Sequence, residues 1–173
     1  METLNHIVII GLPGVGKTTI GKMLSTKLEK SHFDTDEQIE LNENRPIPLI
    51  ISEDGEPFFR KIEKNVFKNI INENQPSVIS TGGGIVMDID NRELIRNKSL
   101  CLYIECDLNE IAKRVDASKR PLLYNTNKIK ALSGIFEDRF NYYENLANIK
   151  VDISKLDHFS SLAKIYDRII SVK

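Results

Sequence analysis

Apolar positions follow two alternating patterns along the chain. Short apolar runs predict buried strands, and they occupy residues 6–10, 31–35, 77–80, 100–105 and 150–153. Between these runs, apolar residues spaced three and four positions apart predict helices over residues 17–30, 56–74, 108–115, 132–147 and 161–172. Alternating strands and helices are typical of a parallel sheet covered on both faces. We therefore predict an α/β fold, a three-layer sandwich around a mostly parallel five-stranded sheet.

One stretch interrupts the alternation. Residues 116–128 show little core periodicity and carry Lys119, Arg120 and Lys128 around Pro121. A mobile basic segment suits a lid that closes over phosphates and excludes water, although a charged loop can also be merely solvated. The chain has 173 residues, close to the roughly 150 of an average domain. We predict one domain over residues 1–173, with a lid at about 112–128.

Composition narrows the class of protein. The 24 basic and 25 acidic residues give a net charge of −1, which argues against nucleic-acid binding through bulk charge. No apolar run approaches the roughly 20 residues of a membrane span, and no signal peptide is visible. The two cysteines make neither a disulfide framework nor a metal quartet. We expect a cytoplasmic monomer with no membrane or nucleic-acid partner.

The clearest motif follows the first predicted strand. Residues 11–18 read G-L-P-G-V-G-K-T and match the phosphate-binding loop, or P-loop, pattern G-x-x-x-x-G-K-[ST]. Its glycines let backbone N–H groups face phosphate oxygens, Lys17 reaches the β- and γ-phosphates, and the Thr18 hydroxyl ligates Mg²⁺. A chance glycine turn would not need a strand before it and a helix after it. The residues expected to bind ATP here are Gly14, Val15, Gly16, Lys17, Thr18 and Thr19.

The subclass follows from motifs that the sequence lacks. A GTPase should carry N-K-x-D, but Asn127 and Lys128 are followed by Ile129 and Lys130, and D-x-x-G does not occur. The chain is also short for an ABC-type or RecA-type ATPase. A small kinase that phosphorylates a metabolite remains, with a nucleotide-binding switch that transfers nothing as its rival.

Two aspartates lie where the second strand should end. In an extended chain, residues two apart point to the same side, so Asp34 and Asp36 should face the active edge while Phe33 and Thr35 face away. One carboxylate could hold Mg²⁺ through water, and the other could accept the proton of an attacking hydroxyl. The alternative is a solvated turn in which Asp36 caps a helix.

Arginines and glycines indicate the acceptor. Arg139 lies on the apolar stripe of its helix, where a guanidinium needs an anion. Arg60 follows Glu56 by four residues and could form an ordinary helix pair, but two converging arginines could also bind a substrate carboxylate bidentately. Residues 82–84 are three glycines whose backbone N–H groups could contact a ligand, or form a merely flexible loop.

Together these motifs resemble the shikimate kinase family, which belongs to the nucleoside-monophosphate-kinase-like P-loop group. The resemblance runs from about residue 6 to residue 153, in the order of the family. Its six segments are G-L-P-G-V-G-K-T at 11–18, F-D-T-D at 33–36, D-G-E-P-F-F-R at 54–60, S-T-G-G-G at 80–84, K-R-P-L-L at 119–123 and R-F-N-Y-Y-E-N-L-A at 139–147. Six segments in register are far more specific than any one of them.

The resemblance implies an ATP-dependent phosphorylation of the 3-hydroxyl of shikimate, on the route to chorismate and the aromatic amino acids. Asp36 would bind the shikimate hydroxyls and orient or deprotonate the attacking one. Asp34 would hold Mg²⁺ through water beside Thr18. The cofactors implied are therefore ATP and Mg²⁺.

The resemblance also assigns the remaining charges. Arg60 and Arg139 would bind the shikimate carboxylate, and Lys17 and Arg120 would neutralise charge on the transferred phosphoryl group. The residues assigned to shikimate are Asp36, Arg60, Gly82, Gly83, Gly84 and Arg139.

Two positions depart from the family pattern. Ile51 stands where the family usually places a phenylalanine near the shikimate ring. Lys113 stands where the family often has an arginine that stacks on adenine, with Arg114 beside it, so the adenine contact is unassigned. The rival acceptors within the same fold are gluconate and a nucleoside monophosphate.

Overall fold

The computed structural model describes residues 6–115 and 127–172. Its strands are β1 (His6–Ile10), β2 (Ser31–Asp34), β3 (Ser77–Ser80), β4 (Ser99–Glu105) and β5 (Ile149–Asp152). Its helices are α1 (Lys17–Leu28), α2 (Thr35–Glu43), α3 (Ile47–Asp54), α4 (Glu56–Ile71), α5 (Ile89–Lys98), α6 (Leu108–Arg114), α7 (Lys128–Leu146) and α8 (His158–Val172). A 3₁₀ turn spans Ile85–Met87.

The five strands form one sheet in the order β2-β3-β1-β4-β5, and every neighbouring pair is parallel. The central strand β1 and its neighbour β3 are buried along their whole length, which explains their continuous apolar character. Because the strands run in one direction, their carboxyl ends lie at the same edge of the sheet. The predicted parallel five-stranded sheet is confirmed.

Helices cover both faces of the sheet. Helix α1 packs against α8, β2 and β3, whereas α5 and α7 pack against each other and against β4. The predicted three-layer sandwich is therefore confirmed for the described residues. Over the same residues, no helix is both long enough and apolar enough to cross a bilayer.

The spacing of apolar residues did not predict three of the helices. Helix α2 buries only Thr35 and Ile39, and α5 buries only Asn91 and Ile95. Helix α3 buries only Ile50. One or two buried positions are too few to display a helical period. Most of the predicted lid lies outside the described residues, which resume at residue 127 just before α7.

Candidate active site

The P-loop connects β1 to α1 through an unusual backbone. Gly11, Gly14 and Gly16 have φ angles of 147°, 85° and 102°. A side chain would strain the backbone at such angles, so the motif needs glycine at these positions. Gly16 caps α1 without a side-chain hydrogen bond, which leaves the first N–H groups of the helix available to an anion.

Lys17 is buried at the start of α1. Its Nζ donates to the carbonyl oxygens of Gly11 at 2.9 Å and Leu12 at 2.8 Å. These bonds hold the ammonium against the loop whose N–H groups would surround phosphate oxygens. Lys17 therefore stands where it could neutralise charge on a bound triphosphate.

Thr18 and Asp34 bring α1 to the end of β2. The Thr18 hydroxyl donates to Asp34 Oδ2 at 2.5 Å, while Asp34 Oδ1 accepts the backbone N–H groups of Asp36 and Glu37 at 2.9 and 3.3 Å. Hydroxyl and carboxylate oxygens suit Mg²⁺, which proteins bind through one or two such groups together with water and phosphate oxygens. In residues 6–115 and 127–172, no group of three or more His, Cys, Asp or Glu side chains forms a denser metal site.

The aspartate motif differs from its expected conformation. The strand ends at Asp34, which caps α2, so Asp36 is neither the cap nor extended and lies in the first helical turn. Thr35 does not face away from the site either, because its buried Oγ1 accepts the Gly82 N–H at 3.0 Å. The alternation of an extended chain does not hold once a helix begins inside the motif. Both aspartates nevertheless line one cavity.

That cavity is the candidate acceptor site and has a volume of about 540 Å³. It lies beside the P-loop, and Thr18 is common to both. Its lining includes every residue predicted for the acceptor: Asp36, Arg60, Gly82, Gly83, Gly84 and Arg139. Ile51 also lines it, at the position where the family usually has phenylalanine.

Arg60 is held by two carboxylates of its own helix. Its Nη2 lies 3.0 Å from Glu56 Oε1 and its Nη1 lies 2.8 Å from Glu63 Oε2. The helix pair with Glu56 is thus present, yet it does not remove Arg60 from the cavity. Arg60 therefore forms the helix pair and lines the cavity at the same time.

Glu63 is a site residue that the sequence prediction missed. Its side chain is 3% exposed, and Oε1 has no hydrogen-bond partner among the described residues. Burial raises the pKa of the Glu63 carboxyl, while the charges of Arg60 and Arg139 act in the opposite direction. A glutamate on the buried stripe of α4, between Phe59 and Val66, was the available signal.

The glycine segment lies unusually close to the charged side chains. A Cβ atom on Gly82 would stand 2.7 Å from Asp36 Oδ1 and 2.9 Å from Glu63 Oε1. A Cβ atom on Gly84 would stand 2.7 Å from Cζ of Arg60. Glycine therefore lets this backbone approach the carboxylates and the guanidinium that surround the cavity.

Helix α7 closes the cavity from another side. Arg139 is only 8% exposed, and Tyr143 is fully buried one turn further along. The Tyr143 hydroxyl donates to the Gly83 carbonyl at 2.6 Å. Burial raises the pKa of Tyr143 to about 12, so the phenol stays a neutral donor at physiological pH.

A second cavity of about 290 Å³ lies on the other side of the P-loop. Its lining comprises Gly14, Val15, Gly16, Thr19, Ile20, Arg114, Ile153, Leu156, His158 and Ser161. Arg114 thus lines this second cavity, whereas the exposed Lys113 pairs with Glu110 at 2.8 Å. Arg120, the predicted lid residue, lies outside the described residues.

A parallel sheet with a P-loop after β1, and a charged acceptor cavity beside that loop, defines a P-loop kinase of a small molecule. A family model described as shikimate kinase matches residues 13–172. The chain belongs to the shikimate kinase family and is an ATP-dependent kinase of that family.

Relatives and solved structures agree with this assignment. The chain is 37% identical over 147 residues to a shikimate kinase from Staphylococcus epidermidis, covering 84% of this chain and 85% of the relative. It is 36% identical over 161 residues to a bifunctional shikimate kinase/3-dehydroquinate synthase from Thermotoga maritima, covering 92% of this chain and 31% of that one. It resembles the structure of Acinetobacter baumannii shikimate kinase in complex with shikimate, with a TM-score of 0.94, 29% identity, and coverage of 99% and 96%.

Proposed function

We propose that the protein transfers the γ-phosphoryl group of ATP to the 3-hydroxyl of shikimate. The observation that carries this proposal is the composition of the acceptor cavity, where Asp36 and two arginines, Arg60 and Arg139, line one space beside the P-loop. Shikimate carries both a carboxylate and ring hydroxyls, so one molecule can bind the two arginines and Asp36 at the same time. A neutral polyol would offer neither arginine a ligand carboxylate.

On the nucleotide side, backbone N–H groups of the P-loop, from Gly14 to Thr19, bind the phosphates. Lys17 and the lid residue Arg120 neutralise charge that develops on the phosphoryl oxygens. Thr18 and Asp34 would hold Mg²⁺, which would offset the negative charge of the phosphates. The smaller cavity beside Arg114 accepts the adenine ring, since its wall is mostly apolar.

On the acceptor side, Arg60 and Arg139 bind the carboxylate through charge-assisted hydrogen bonds. The oxygen of the 3-hydroxyl bonds to the γ-phosphorus while Asp36 accepts the proton of that hydroxyl. The bond from the γ-phosphorus to the β,γ-bridging oxygen breaks, which releases ADP. The backbone of Gly82, Gly83 and Gly84 contacts the ring hydroxyls. Positioning and charge neutralisation supply most of the catalysis.

Three broader expectations accompany this function. Residues 1–173 form one kinase domain with a lid at about 112–128. The enzyme acts as a monomer in the cytoplasm, and it needs no nucleic-acid partner, since its net charge is −1. Gel filtration with light scattering tests the monomer directly, and a mass near 19.7 kDa supports it.

An acceptor panel tests the proposed reaction. ADP release is measured with ATP, Mg²⁺ and one of shikimate, gluconate or AMP, with a reaction lacking acceptor as the blank. We expect ADP above the blank with shikimate alone. Faster release with gluconate or AMP would assign a different acceptor, and tight ATP binding without release for any acceptor would favour the nucleotide switch.

A further inference from the structure

We propose that Tyr143 is a positioning residue for acceptor phosphorylation, because its hydroxyl fixes the Gly83 carbonyl against α7 beside Arg139. The inference rests on the proposed function of the glycine segment and of Arg139 in binding the acceptor. It goes beyond that function by assigning a role to a buried side chain that is absent from the cavity lining.

The contact between Tyr143 and Gly83 joins elements that are far apart in the chain. The hydroxyl oxygen lies 2.6 Å from the carbonyl oxygen of a residue 60 positions earlier. Because a peptide unit is planar, holding the Gly83 carbonyl also fixes the N–H of Gly84, which belongs to the same peptide plane. That N–H group lies in the segment proposed to contact the ring hydroxyls.

The same tyrosine lies beside the proposed carboxylate-binding arginine. Arg139 precedes it by four residues, which places both on one face of α7. Nη1 of Arg139 lies 3.3 Å from the point that a Cβ atom on Gly83 would occupy. Tyr143 thus sets the distance between two groups that must contact different parts of one acceptor.

The ring has no room to move. Tyr143 is 0% exposed and stacks on Tyr103, with ring centroids 5.1 Å apart and planes inclined at 25°. A phenol that is fully buried and stacked on a second ring keeps its hydroxyl in one place. The stacked pair also offers a matched control, since Tyr103→Phe removes a hydroxyl from the partner ring and leaves the stack.

The test compares Tyr143→Phe with Tyr103→Phe. For Tyr143→Phe we expect the KM for shikimate, and its Kd by calorimetry, to rise about tenfold, with kcat changed less than about threefold and the KM for ATP unchanged. For Tyr103→Phe we expect all four values to match those of the parent. KM and Kd do not depend on the concentration of folded enzyme, so a less stable variant still gives the readout.

Two results would overturn the proposal. One is a parent-like KM and Kd for shikimate in Tyr143→Phe. The other is an equal loss for shikimate and ATP, which indicates general damage to the fold. The variant Arg139→Ala distinguishes failure of this proposal from failure of the proposed function. If Arg139→Ala weakens shikimate binding and Tyr143→Phe does not, only the positioning role of Tyr143 is wrong. If neither variant weakens shikimate binding, the assignment of the acceptor site is wrong as well.

Discussion

The P-loop and the candidate acceptor cavity are built in different ways. The loop is continuous, residues 11–18, and presents backbone groups whose direction is set by glycine φ angles. The cavity is assembled from α2, α3, α4, α7 and the segment after β3, and it presents charged side chains. The residues predicted to bind phosphate therefore lie in one short motif, whereas those predicted to bind the acceptor come together only through the packing of distant elements.

The two regions also hold their cations differently. Lys17 donates to two backbone carbonyl oxygens of the P-loop itself. Arg60 is already paired with Glu56 and Glu63, so a carboxylate that binds at Arg60 would share its guanidinium with them. Substitutions in the cavity should therefore change the parameters for shikimate and leave those for ATP nearly constant.

The largest effect is expected from Asp36→Asn. Without a carboxylate to accept the hydroxyl proton, kcat should fall by about a thousandfold, while the Kd for ATP stays within about twofold. Coupled ADP release and calorimetry measure the two quantities. Asp90→Asn, a neutralised carboxylate on the exposed start of α5, serves as the control and should keep full turnover. Full turnover in Asp36→Asn would remove Asp36 from the chemistry.

Arg139→Ala should come next. Loss of one guanidinium should raise the KM for shikimate by about a hundredfold and leave the KM for ATP unchanged. Steady-state kinetics with each substrate varied in turn measures the split. The exposed Arg96→Ala on α5 removes a similar side chain away from the cavity and should behave like the parent. An equal rise in both KM values would contradict the separation of the two regions.

Gly84→Ala should have a smaller effect on the same parameter. Its methyl group would press on the Arg60 guanidinium and displace it, so the KM for shikimate should rise about tenfold. Gly134→Ala is the matched control, because a methyl group at that exposed position of α7 has no atom within 4 Å. If both variants keep the parent KM, Arg60 does not need its present position.

The smallest effect concerns pH and Glu63. Burial raises the pKa of this carboxyl in the folded protein, so its contribution to stability is fully present below its ordinary pKa and is lost as the pH rises through the folded value. The unfolding free energy of the parent minus that of Glu63→Gln should therefore fall from pH 4 to pH 7. Urea unfolding at both values measures it.

A control for this pH experiment is Glu53→Gln. Glu53 is 53% exposed and serves as the exposed counterpart of the buried Glu63. A difference that grows with pH for Glu63→Gln would mean that Arg60 and Arg139 outweigh burial at this site.

The sequence predicted most of the features that depend on a continuous stretch of residues. The five strands and the P-loop follow from apolar runs and one eight-residue motif, and each matches the structure closely. The helices α2, α3 and α5 did not follow, because most of their residues face outward. The reading of residues 33–36 as extended was wrong because the helix begins at Thr35, inside the motif.

The site residues likewise divide into those that a local pattern indicates and those that only packing brings together. Arg139 could be found because a lone charge on an apolar stripe needs a partner, and the same argument applied to α4 would have found Glu63. The bond from Tyr143 to Gly83 could not be found, since nothing local links residues 60 positions apart. Such contacts depend on the register between a helix and a loop, which packing decides.

The most direct test of the account compares shikimate with its uncharged carboxamide in the parent and in Arg139→Ala. If the arginines bind the acceptor's carboxylate, the parent should prefer shikimate by about a hundredfold in kcat/KM, and Arg139→Ala should reduce that preference below about tenfold. The same preference in both proteins would contradict the central claim that Arg139 contacts the carboxylate.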